Sequence, residues 1–140
     1  MATELQQHCE TIEECYEFAL SYAARGVSGG STSDAGKQMR EYLTRAAAAM
    51  RGLEGSCSAA TEQEQLEPAE KYDAFFSVLQ RDAKDAAAAV ELVLAQPVIG
   101  SQLIDNLNAS MHLRALLADL FLVVEILEVR QAREKAVVSE

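Results

Sequence analysis

Apolar residues that return after four positions and then after three constrain this chain more than any other feature. Tyr72, Phe76, Leu79, Ala83, Ala86, Val90 and Val93 keep that alternation without a break. A helix turns by about 100° per residue, so this spacing gathers the side chains on one stripe, whereas a strand would divide them between two faces. Leu5, Cys9, Ile12, Tyr16, Ala19 and Ala23 repeat the pattern, as do Met39, Leu43, Ala46, Met50 and Leu53. Each stripe must be buried, and helices with narrow stripes bury them on one another. The expected fold is all-α: an up-and-down antiparallel four-helix bundle with left-handed packing at about +20°. At 140 residues the chain has the size of a single domain.

Local signals place the helices at about 3–25, 34–54, 68–96 and 101–135. Gly26 suits a C-terminal cap, and a Gly- and Ser-rich loop runs from Val27 to about Ser33. Asp34 can accept hydrogen bonds from free amides at the start of the second helix. A polar loop is expected from Gly55 to Leu66. Thr61 followed by Glu64 reads as a capping box, and Pro68 suits a first helical turn. The later start is preferred. Pro97 and Gly100 separate the third helix from the fourth, and residues after Lys135 read as a fraying tail. The alanine runs Ala46–Ala49 and Ala86–Ala89 let helix axes approach closely.

The fourth helix is too apolar for one face. Leu113, Leu117, Leu120, Val124 and Leu127 form one row, and Met111, Ala115, Ala118, Leu122, Ile126 and Val129 form another. Leu116 and Val123 fill the space between them, and only Arg114, Glu125 and Glu128 mark a polar side. A bundle helix hides one stripe, so the second row needs another cover. A second copy of the chain is the expected cover, with Met111, Ala118, Leu122, Ile126 and Val129 at the interface. The alternative is a broad helix tucked between shorter neighbours.

A net charge of −10 opposes binding to nucleic acid or to anionic membranes. No apolar run approaches the ~20 residues of a membrane span, and Met1-Ala2-Thr3-Glu4 lacks the features of a secretory signal. Cys9, Cys15 and Cys57, an odd number without framework spacing, fit reduced thiols in a cytoplasmic protein.

On one uninterrupted fourth helix, Ser101, Asp105, Asn108, His112 and Asp119 would share a narrow polar stripe. Asp105, Asn108, His112 and Asp119 are the candidate ligand-binding residues. Asp119 lies among Leu116, Val123 and Ile126 and needs a partner, either His112 or an arginine from another helix. The alternative is a half-exposed stripe ending in a paired structural carboxylate. No metal is expected. Asp105 and His112 stand about 10.5 Å apart along the axis, and His112 and His8 are preceded at Glu-x-x-His spacing by Ala109 and Leu5.

In fold class and size the chain resembles a histidine phosphotransfer module, which implies His112 as the phosphorylated residue. Such modules usually carry a Lys three residues after that histidine and a Gly after the Lys. Here those positions are Ala115 and Leu116, and the basic residue is Arg114. The stretch from Gly30 to Lys37 resembles a phosphate-binding loop. It is one residue too long, however, and Gln38 stands where Ser or Thr would hold magnesium. Asn108-Ala109-Ser110 matches a glycosylation acceptor but falls within the fourth helix. No spacing links a Cys or Ser to either histidine for nucleophilic catalysis, and nothing calls for a cofactor. The expected function is a non-catalytic protein-interaction module: an adaptor, chaperone-like or regulatory bundle, homodimeric through the fourth helix. A basic or amphipathic protein or peptide could meet its acidic first helix and the segment Thr61–Glu70. The alternative is phosphotransfer or small-ligand binding through His112 and Asp119.

Overall fold

The computed structural model describes residues 2–26 and 33–139. Among them the chain is all-α, with five helices: α1 (Glu4–Ala24), α2 (Asp34–Gln63), α3 (Ala69–Leu94), α4 (Ser101–Ala109) and α5 (Met111–Ser139). The expected loop and phosphate-loop likeness at positions 27–32 lie outside the described residues.

The first helix starts as its sequence dictates. Thr3 Oγ1 accepts from the Gln6 amide at 3.1 Å, and Gln6 Oε1 accepts from the Thr3 amide at 2.8 Å. Two otherwise unpaired amides are thereby satisfied. Gly26 follows the helix at φ +66°, in the left-handed region where a Cβ is costly. At the start of α2, Ser33 rather than Asp34 is the cap: its Oγ accepts from the Gly36 amide at 2.9 Å, and Asp34 is the first helical residue.

The second helix corrects the expected loop at 55–66, because it runs through Gly55 to Gln63. Leu53, Ser56, Cys57 and Ala60 continue the buried stripe past the glycine. Their burial outweighs the roughly 1 kcal/mol that one helical glycine costs. Thr61 is therefore no cap, and its hydroxyl donates back to the Cys57 carbonyl at 3.1 Å. The helix ends instead in a Schellman turn. The Leu66 amide donates to the Thr61 carbonyl and the Gln65 amide to the Glu62 carbonyl, while Leu66 is buried. Gln65 holds φ +48°, a conformation that suits glycine. Gln65→Gly is therefore expected to stabilise the fold by about 0.5–1 kcal/mol, read as a raised urea midpoint; a lowered midpoint would contradict this assignment.

Pro68 stands just before α3 as its cap residue rather than in its first turn, and α3 stops at Leu94, ahead of Pro97. The stripe read from the sequence is the buried one: Phe76, Leu79, Ala83, Ala86, Val90 and Val93 all face the core. Arg40 of α2 caps the far end of α3. Its guanidinium donates to the carbonyls of Leu94, Gln96 and Pro97 at 3.1, 2.6 and 3.1 Å. A cation there also meets the negative end of the helix dipole.

The expected fourth helix is two helices. Ser110 leaves the helical path at ψ 131°, and the chain resumes as α5 with the Arg114 amide donating to the Ser110 carbonyl. The break lets the short α4 lie mainly on α1 while α5 lies mainly on α3. It also corrects the phase of the sequence projection, since residues before and after Ser110 no longer share one 100° wheel. Helix α5 extends to Ser139, beyond the expected end at 135.

Polar clasps hold both ends of the molecule. At one, the Tyr22 hydroxyl donates to the Ile99 carbonyl at 2.5 Å, and the Ser101 hydroxyl donates to the Tyr22 carbonyl at 3.0 Å. At the other, Arg130 and Gln131 of α5 donate to Glu64 at the end of α2, at 2.8 and 2.7 Å. Among the described residues no helix is long and apolar enough to cross a membrane.

Candidate functional site

One side of α5 faces the core and the opposite side is also apolar. Leu113, Leu116, Leu117, Leu120, Val123 and Leu127 are buried. Half a turn away, Met111 is 83% exposed, Leu122 51%, Ile126 37% and Val129 48%. Ala115 and Ala118 lie exposed in the same band, and Phe121 borders it at 56% exposure. Scattered exposed hydrophobes are ordinary, whereas these share one face of α5, interrupted by Glu125. Tyr72, Phe75 and Phe76 of α3 join Leu122, Val123 and Ile126 to line an apolar recess of about 270 Å³ beside this row. Tyr72 and Phe75 sit at the border of the α3 stripe, where packing leaves them partly open, while Phe76 is buried at the floor of the stripe.

The candidate polar residues are distributed over two helices. On α4, Asp105 is exposed while Asn108 is buried, with neither its amide nitrogen nor its oxygen paired among the described residues. On α5, His112 is exposed and Asp119 is half-buried. Ser101 points the other way, into its bond with Tyr22. The second histidine, His8, lies between α1 and α2. Its Nδ1 is 3.3 Å from Ser56 Oγ and its Nε2 is 4.0 Å from Glu4.

Asp119 meets neither His112 nor an arginine but Asp82 of α3, a partner the sequence reading missed. The only signal was the place of Asp82 three residues beyond Leu79, at the border of the buried stripe. Burial, then the hydrogen bond with Asp82, then the Asp82 charge push the Asp119 carboxyl up to about 7. Two ionised carboxylates have no proton between them, and Asp119 Oδ2 is buried without a hydrogen-bond partner among the described residues. A proton held between the two carboxyls would supply the missing donor.

The folded chain thus holds this proton more tightly than the unfolded chain, where the carboxyl has its ordinary value of 3.8. The associated stability is complete below pH ~4 and disappears as pH rises through ~7. For a half-buried group screened by solvent, it amounts to about 1–2 kcal/mol. Asp119→Asn is expected to stabilise the fold by that amount at pH 8 and by almost nothing at pH 4. Urea midpoints at the two pH values check it; equal effects at both would contradict the shared proton.

Cys9, Cys15 and Cys57 are buried, and burial is the first cause that pushes each thiol up to about 12. Thiols so placed are poor nucleophiles at neutral pH. Among the described residues no three His, Cys, Asp or Glu side chains gather as a metal site. No family model, curated protein or solved structure matches this chain.

Proposed function

We propose that this protein is a non-catalytic interaction module that works as a homodimer through α5. The exposed apolar row from Met111 to Val129 carries this reading. A second copy is favoured over an unrelated protein by the charge of the helix. Asp119, Glu125, Glu128 and Glu134 on α5 are balanced by Arg114, Arg130, Arg133 and Lys135, in a chain whose net charge is −10. Two acidic molecules that approach through α5 meet along a helix of zero formal charge rather than along the acidic α1.

The architecture behind this role is an up-and-down four-helix bundle with left-handed packing, its fourth member broken at Ser110. Adaptor, chaperone-like and regulatory roles all suit a rigid bundle with one sticky face. On α1, Glu13 is raised by burial and then by Glu17, Glu128 and Glu10, so acid is concentrated beside α5. That face suits a basic or amphipathic protein or peptide in the cytoplasm; nucleic acid and anionic membranes are excluded from the proposal on charge. Sedimentation equilibrium at micromolar concentration tests the dimer. A mass of twice the 15.2 kDa chain is expected, and a monomeric mass throughout would contradict it.

A second reading, phosphotransfer or small-ligand binding through His112 and Asp119, rests on the exposure of His112. His112→Ala would abolish phosphorylation by a histidine-kinase donor under that reading and leave self-association unchanged under the first.

A further inference from the structure

We infer that the two copies pair antiparallel along α5, about a twofold axis level with Val123 and Val124. This rests on the homodimer reading and adds an orientation and a register to it. Along the outward side of α5, the positions that return after four and then three residues are Met111, Ala115, Ala118, Leu122, Glu125, Val129 and Ala132. They trace the seam along which two helices can interdigitate.

The order of those residues decides the direction. In a parallel pair each residue meets its own copy, so Glu125 would face Glu125 across an apolar seam, at the cost of like-charge repulsion and desolvation. Leu122 would face Leu122 while Ala115 and Ala118 faced alanines, leaving a seam wide at one level and hollow at the next. The antiparallel register sets Leu122 against Glu125, Ala118 against Val129 and Ala115 against Ala132. Leu122 then no longer meets Leu122, Val129 packs over the small Ala118, and the two Glu125 carboxylates separate onto opposite sides of the axis. Antiparallel pairing also opposes the two helix dipoles.

The apolar recess between α3 and α5 supports the level of the axis. It is lined by Leu122, Val123 and Ile126, so it lies where the two copies of Leu122 come closest. From Met111 to Ala132 the seam runs about 32 Å, and a strip one helix wide has a projected area on the order of 350 Å² per copy before side-chain relief and the recess are added. The pair together, about 700 Å², lies below the about 1,200 Å² at the small end of specific interfaces, which matches weak, transient self-association.

Cysteine cross-linking reads the direction. Small residues bring the axes to about 8 Å, so facing alanines place their Cα atoms within the ~4.4–6.8 Å that a disulfide spans. The native thiols are buried and do not compete. Ala115→Cys alone, oxidised mildly at dimer concentration, is expected to give no covalent dimer, because positions 115 lie about 25 Å apart along the axes. The double variant Ala115→Cys/Ala132→Cys is expected to give at least about tenfold more. Both variants are checked for a native circular dichroism spectrum and weighed by light scattering on the same samples. Efficient linking by Ala115→Cys alone overturns the antiparallel direction. A dimeric mass with no linking in either variant overturns the α5 seam, and a monomeric mass overturns the homodimer reading itself.

Discussion

Leu122→Glu is expected to weaken the proposed self-association at least about a hundredfold, some 2.7 kcal/mol, while leaving the fold within ~0.5 kcal/mol of its original stability. The two effects separate because Leu122 is 51% exposed and sits half a turn from the core. In the isolated chain the new carboxylate points into water at little cost. In the dimer it enters an apolar seam beside Glu125, and an unpaired buried charge is expensive. Sedimentation equilibrium gives the association constant and a urea titration gives the fold stability. Unchanged association would remove α5 from the interface.

Two residues earlier the expected outcome reverses. Leu120 is fully buried at 0% exposure, on the side of α5 that faces the core. Leu120→Ala removes its methyl groups and leaves a void that rigid neighbours only partly fill, so the fold loses about 2–5 kcal/mol. For a domain whose whole stability is about 5–15 kcal/mol, such a loss is seen at once in the urea midpoint. The molecules that remain folded still associate, because the outward row is untouched. A loss below ~1 kcal/mol would mean that α5 is not seated on the core by the row Leu113, Leu117, Leu120 and Leu127.

The contrast between Leu120 and Leu122 was legible in the sequence, because both rows of α5 follow from spacing alone. So were the buried stripes of α2 and α3 and the stop at Gly26; on α1 the reading gave Leu5, Cys9, Ile12 and Ala19, while Cys15 and Tyr22 are buried where Tyr16 and Ala23 were expected. Spacing reports which residues share a face, and it is insensitive to events that keep the face while changing the backbone. Gly55 suggested a loop because glycine weakens a helix, yet Cys57 and Ala60 carried the buried stripe of α2 past it. Ser110 suggested nothing. It is neither proline nor glycine, and the apolar pattern continues on both sides of it. The break reflects tertiary demand, since α4 has to lie on α1 and α5 on α3.

The candidate polar residues show the same limit. Asp119 was identified as a carboxylate among apolar neighbours in need of a partner, which its own helix could reveal. Asp82 could not be chosen, because the helix that faces Asp119 is set by packing between α3 and α5. Asn108 and His112 fell on one wheel only while Ser110 was treated as helical. With the backbone turned there, Asn108 goes inward with an unpaired amide and His112 outward.

On the proposed reading a second copy covers the outer face of α5, and the oxidation of Met111 by peroxide measures that cover directly. Met111 is 83% exposed in the single chain, while Met39 and Met50, at 0% and 3%, serve as internal references within the same sample. Antiparallel pairing lays Met111 against the end of the partner's α5, so its conversion to sulfoxide depends on how much of the protein is dimeric. Met111 is expected to oxidise several-fold more slowly well above the dissociation constant than well below it, and Leu122→Glu to restore the fast rate at every concentration. A fast rate for Met111 in the unsubstituted protein at all concentrations would contradict it.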